Sequence, residues 1–350
     1  MKKERLFYLD FIRAISVISI VIFHFNISMR INVIKGHDIL FTNYANGDLG
    51  SIGVALFFII SGAALMYTYD ERFSIKNYFN RRFISLYPMF WTAYAIAFLY
   101  FFYINRTINH SIPNWTFILT VLGLDGYLYS ITPNFYILGE WFLGCIILLY
   151  FCFPILRKLI IKKPKILLCC VCIFYIILVQ NYNFAIQIDH NFIIRILDFT
   201  IGMYFMRYIK TVKVYQFALA LIISIVMMFV PINIKQMYKI TIFGIAIFFV
   251  LVYISQYFKF SNIKYICEVL NKYSYTIFLV HHVIIEQVVT RFNALTITRN
   301  EAFCLFLITC IIISVVSVYV YKISNIISKH LSKTKLNSKL IFKDKLVMRL

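Results

Sequence analysis

This sequence is short of charge for its length. Only 14% of its 350 residues are Asp, Glu, Lys or Arg, and just 14 residues are acidic. A soluble domain is nearer a quarter charged and half apolar, whereas 62% of this chain is hydrophobic and its mean hydropathy is +0.82. That excludes an ordinary water-soluble globule. Other absences narrow the field further. No small-x-small cleavage site follows the first apolar run, which is too long for a secretory signal although Lys2, Lys3 and Arg5 precede it, so the segment is expected to stay. There is no nucleotide-binding glycine loop, no Gly-x-Ser-x-Gly nucleophile elbow and no cysteine spacing partnered by histidines, so no metal is expected. The eight cysteines lie in or beside apolar segments and read as small hydrophobes rather than disulfides. No Pro/Gly/Ser-rich linker or internal repeat divides the chain, which reads as one transmembrane domain over residues 1–321 and a basic cytoplasmic tail over 322–350.

What the sequence does hold is apolar segments and basic residues between them. The fold class is therefore all-α, a polytopic membrane helical bundle of about ten transmembrane helices. The predicted spans run near Leu9 to Ile27, Ile52 to Tyr69, Leu86 to Ile104, Phe135 to Leu156, Ile166 to Gln180, Phe192 to Tyr208, Tyr215 to Pro231, Ile240 to Tyr257, Tyr273 to Val289 and Ala302 to Tyr321. A formal charge of +21 would suggest nucleic acid in a soluble protein, but here the cations sit in short clusters between spans. Placing the N-terminus inside puts 26 of the 35 basic residues in inner segments and 8 outside, with Arg13 inside the first span. This supports N-in and C-in topology in the cell membrane, with membrane lipids rather than nucleic acid as neighbours.

The first span carries Asp10, Arg13 and His24, each costly in hydrocarbon unless it faces protein or water. Arg13 and His24 are eleven residues apart, so they return to nearly the same helix face about 16 Å apart along the axis. One stripe thus offers a cation toward the inner surface and an imidazole toward the outer one. Taken alone, these read as interfacial anchors and a packed histidine. Arg81 and Arg82, just ahead of the third span, can fork onto phosphates or simply anchor the helix. Glu140 enters the fourth span from outside at about the depth of His24, where a carboxylate can support a histidine base, or it faces external water.

The long outer connection from Asn105 to Asn134 carries Trp115 and Asp125, and Trp141 adjoins Glu140. Aromatic and polar groups of this kind can stack on and bond a sugar, or anchor the loop at the interface. Arg195 and Asp198 lie one turn apart at the outer start of the sixth span, as a structural ion pair or as substrate ligands. His281 and His282 are adjacent in the ninth span and point to different faces, which argues against a two-histidine metal site.

These pieces, in order, resemble the acyltransferase-3 family of integral membrane acyltransferases over most of the chain. The residues that carry the resemblance are Leu9-Asp10 with Arg13-x10-His24, the stretch Gly53 to Gly62, the arginine pair before Tyr87-Pro88, Glu140-Trp141-Phe142-Leu143, Arg195 to Gly202, and Ser274 to His281. The family's basic motif usually reads Arg-x-x-Arg, whereas here Arg82 is followed at that spacing by Ser85, with Arg81 beside it.

The resemblance implies acyl transfer, usually of acetyl from acetyl-CoA, to a hydroxyl of a carbohydrate or glycolipid acceptor in the cell envelope. It assigns Arg13 and the arginine pair to the donor and His24 to the chemistry. His24 then takes the hydroxyl proton or carries the acetyl group itself. A transporter or flippase of a lipid-linked sugar is the rival, since intramembrane charges also line transport paths, although no repeat symmetry is present. The acceptor's identity and a homo-oligomeric state are left open.

Overall fold

The computed structural model describes residues 5–32, 37–139, 141–292 and 297–347, the last with backbone alone beyond residue 331. Its helices are α1 (Phe7–Asn32), α2 (Leu49–Tyr69), α3 (Ile75–Asn105), α4 (Phe117–Leu122), α5 (Asp125–Leu128), α6 (Trp141–Lys162), α7 (Pro164–Gln180), α8 (Phe192–Tyr204), α9 (Val214–Phe229), α10 (Gln236–Ser255), α11 (Ser261–Val289) and α12 (Arg299–Val347). The only strands among the described residues are β1 (Asn43–Tyr44) and β2 (Gly47–Asp48), which pair antiparallel before α2. Helix is what apolar runs of this length must form, because in lipid every backbone N–H and C=O has to be satisfied within its own segment.

Among the described residues, six helices are long and apolar enough to cross a membrane: α1, α2, α3, α6, α10 and α12. The other four predicted spans fall on α7, α8, α9 and α11. Boundaries moved where helix continues into polar sequence. α3 begins eleven residues before the predicted Leu86 and takes Arg81 and Arg82 into its first turns, while α6 starts at Trp141 rather than Phe135. Likewise α12 passes residue 322 without a break, so the basic tail is continuous with the last span as backbone. All eight cysteines are free.

The ends of the elements follow local chemistry. Asp48 caps α2 by accepting from the Ser51 N–H at 2.7 Å, and Asn191 caps α8 by accepting from Ile193 N–H at 3.0 Å. Asn26, fully buried two residues past His24, donates to Ile39 O and Thr42 Oγ1 and accepts from Ile39 N–H. That amide folds the connection after α1 down over the His24 end of that helix.

At the centre α1 packs against α2, α10 and α11, and α2 packs tightly on α8. The α2–α8 contact rests on two glycines. A Cβ on Gly202 would lie 1.8 Å from Ile59 O, and one on Gly62 would lie 2.0 Å from Phe199 O. Both obstacles are backbone, so neither position admits a side chain without moving a helix.

Candidate active site

The stripe on α1 faces α11 at both of its ends. Near the start of α1, Arg13 donates through one terminal nitrogen to Asn271 Oδ1 at 2.5 Å, and Asn271 in turn donates to Asp10 Oδ1 at 2.5 Å. Arg5 closes on the other oxygen of Asp10 and lies 3.8 Å from Glu268. Near the other end, the His24 ring lies 5.1 Å from the rings of both His281 and His282, and 5.3 Å from Phe23. Asn271 and His282 are eleven residues apart, the same three turns that separate Arg13 from His24. Two helices that meet at both ends of equal spacings run parallel and in register.

Between the two ends, α11 presents Tyr275 and Phe278 at the intervening turns of the Asn271 to His282 stripe. Phe278 lies 5.3 Å from Phe142 of α6 and 6.1 Å from His281, and it stacks on Tyr275. The stretch of the α11 stripe between the guanidinium and the imidazole therefore carries aromatic rings rather than further charge.

His281 is 2% exposed and held by its own helix. Its Nδ1 stands 2.7 Å from Phe278 O and 3.2 Å from Ile277 O. Carbonyl oxygens only accept, so Nδ1 carries the proton and Nε2 is left as a bare acceptor. That Nε2 is buried and makes no hydrogen bond among the described residues. His282 feels the carboxylate of Glu286, one turn further along α11, and Glu286 accepts from Ser28 Oγ of α1 at 3.1 Å. Glu140 lies outside the described residues. Its neighbour Gly139 has φ +77° and would bring a Cβ to 2.8 Å from His282 Cγ, so the chain just before α6 runs against the histidine group.

The other sequence-predicted residues distribute as follows. The groups that act electrostatically on Arg13 are Tyr150, Asp10, Arg5 and Arg82, so Arg82 reaches the same charged end. Arg82 sits 5.8 Å over the Tyr150 ring beside a cavity of about 250 Å³, and its buried Nε has no hydrogen-bond partner. Ser85, at the place of the family arginine, turns back to donate to Arg82 O at 2.9 Å, and Arg81 is exposed.

Trp115 is 63% exposed, whereas Asp125 is fully enclosed and accepts from Gly126 N–H. Arg195 and Asp198 form an ion pair at 3.0 Å that is 1% and 0% exposed, so a ligand would have to open the bundle to reach it. Among the described residues no group of three or more His, Cys, Asp or Glu is arranged to hold a metal ion.

Trp141 stacks on His190, with ring centroids 3.8 Å apart and planes 12° from parallel. His190 lies in the connection before α8, where burial and the nearby Arg195 push its pKa below the usual value against the pull of Asp189. The folded state thus disfavours the charged ring, and the unfolded chain binds the proton more readily. The stability this contributes is complete above about pH 6.5, the ordinary histidine value, and is lost as pH falls toward the lower folded pKa. Thermal midpoints measured from about pH 8 down to pH 5 are expected to fall more steeply for the wild type than for His190→Phe, which keeps the stack without the titration.

Comparison with known proteins gives the family. A family model described as an acyltransferase domain matches residues 6–322, nearly the whole chain and both helices of the α1–α11 pair. The chain belongs to the acyltransferase-3 family. A curated relative, the acyltransferase MdmB of Streptomyces mycarofaciens, is 28% identical over 121 residues, which is 33% of this chain and 30% of that protein. The match thus spans about a third of the curated relative. No solved structure matches the chain. In this member of the family, what sequence reasoning left out of the candidate site is the α11 side: Asn271 and Glu286, with Ser28 opposite, while His282 was weighed only as a metal ligand. The signal was present in the second eleven-residue spacing, Asn271 to His282.

Proposed function

We propose that this acyltransferase moves an acetyl group, or a similar short acyl group, from acyl-CoA to a hydroxyl of a cell-surface or lipid-linked glycan. The observation that carries the reading is the paired register of α1 and α11, which sets Arg13 with Asn271 at one end and His24 with His281 and His282 at the other. With the N-terminus in the cytoplasm, Arg13 and Arg82 meet the donor's phosphates from inside, and the aromatic stretch of the α11 stripe guides the pantetheine arm outward. The acceptor approaches from outside, where Trp115 and Trp141 can pack on a sugar face. Glu140, just before Trp141 in the sequence, is the carboxylate proposed to support His24 as a base.

At the meeting point His24 takes the proton of the acceptor hydroxyl as oxygen attacks the thioester carbonyl. It then returns that proton to the departing coenzyme A thiolate, so the enzyme ends as it began. Asn271 holds Arg13 in place. His281 Nε2 supplies a buried acceptor for a hydroxyl, and Glu286, one turn beyond His282, is tied to Ser28 of α1.

The decisive measurement is on the purified chain in lipid, given acetyl-CoA and envelope glycan. Appearance of one acetyl increment on the glycan, by mass spectrometry, together with free coenzyme A, is the expected result. Movement of glycolipid across the bilayer with no acetyl transfer would overturn the reading.

A further inference from the structure

A cleft of about 580 Å³ opens beside the start of α1, away from every residue assigned above to the acceptor. Three separate parts of the chain bring cations to it. Arg5 comes from the approach to α1, Lys210 from the turn after α8, and Lys259 and Lys264 from the connection between α10 and α11 and the first turn of α11. Arg5 is matched by Asp10 and Glu268. None of the three lysines has a carboxylate within ion-pair distance among the described residues.

Lys210 is also held in an unusual backbone state, φ +61°, by its N–H bonding to Phe205 O at 2.8 Å. A lysine pays for that conformation, and such strain persists where the surroundings impose it. Tyr8 and Tyr253 line the same cleft, giving it ring faces as well as charge. Its floor includes Asp10, which Asn271 ties to Arg13, and Arg13 feels both Arg5 and Arg82.

We infer that this cleft binds the nucleotide end of the acyl-CoA donor, with the lysines on its ribose phosphate, beyond the diphosphate left to Arg13 and Arg82, and a tyrosine ring against the adenine. The inference rests on acyl-CoA being the donor. It assigns a place to the part of that molecule that Arg13 and Arg82 leave unaccommodated. From Asp10 to His24 α1 rises about 21 Å, a span for the extended pantetheine chain. Phosphate recognition of this kind, by lysines free of competing carboxylates, is an electrostatic site that salt weakens.

The test uses the full chain in nanodiscs of neutral phosphatidylcholine, titrated calorimetrically with adenosine 3′,5′-bisphosphate, which needs no turnover. Saturable binding is expected, about tenfold weaker in the Lys259→Glu/Lys264→Glu variant. In parallel, that variant should raise the KM for acetyl-CoA about tenfold with kcat within about twofold, because binding is lost equally in ground and transition states.

No heat from the bisphosphate, or equal affinity in wild type and variant, overturns the assignment even if acetyl transfer proceeds. Bisphosphate binding that depends on the lysines, in a chain that transfers no acetyl group, keeps the cleft and overturns the donor reading instead. If the variant alters only the retention of anionic lipid when phosphatidylglycerol is added, a lipid headgroup occupies the cleft and the inference fails.

Discussion

His24→Ala is expected to lower acetyl transfer by about 10² to 10⁴-fold, the usual contribution of a positioned base, while the protein still inserts and keeps its thermal midpoint. That loss corresponds to about 3–5 kcal/mol of transition-state stabilisation. Stability should change little by comparison. Among the described residues, half-buried His24 meets its neighbours through ring contacts with Phe23, His281 and His282, not through a hydrogen bond that its loss would orphan. The kinetic pattern matters as much as the size of the loss. A base acts only as the hydroxyl attacks, so kcat and kcat/KM should fall together, with the KM for acetyl-CoA nearly unchanged. A change in the donor's KM alone would place His24 in the binding wall. Turnover near the wild-type value in a folded variant would leave the histidine group without a chemical role.

The sequence carried much of the fold because the signal for a membrane helix is local. Each of the ten predicted apolar segments falls on a helix, and what hydropathy missed are the polar turns at helix ends, as at Arg81 and Arg82 in α3. The start of α6 was set too early because Phe135 to Leu138 is apolar yet not helical, with Gly139 at positive φ just before Trp141.

The site was half legible for a similar reason. Periodicity along α1 puts Arg13 and His24 on one face, but no periodicity within a helix says which other helix that face meets. Adjacent histidines looked unhelpful because they diverge from α11. Yet one imidazole arriving from α1 lies 5.1 Å from both rings. Asn271 escaped notice because an asparagine is neither charged nor titratable, although it is the group that holds both Arg13 and Asp10.

Breaking the Arg195–Asp198 pair on one side is expected to cost more stability than any other single change considered. Both side chains are enclosed, and Arg195 also donates through Nε to Asp189 O at 2.8 Å and lies 5.4 Å over the Phe58 ring of α2. Asp198→Ala leaves a guanidinium without its counter-charge in the interior of the bundle, and unpaired buried charge costs about 3–5 kcal/mol. The double substitution Arg195→Met/Asp198→Leu removes both charges and fills similar volume, so it should restore most of that loss.

Thermal unfolding of the three proteins in one detergent reads the energetic difference, and acetyl transfer by the double variant decides what the pair is for. A fold-holding pair gives a stable and active double variant. If the arginine and aspartate instead grip the acceptor, the double variant will be stable yet fail to transfer, with the defect in the acceptor's KM. Because the α2–α8 crossing leaves no room at Gly62 and Gly202, α8 cannot move aside cheaply to expose the pair. The stable, active outcome is therefore the one expected.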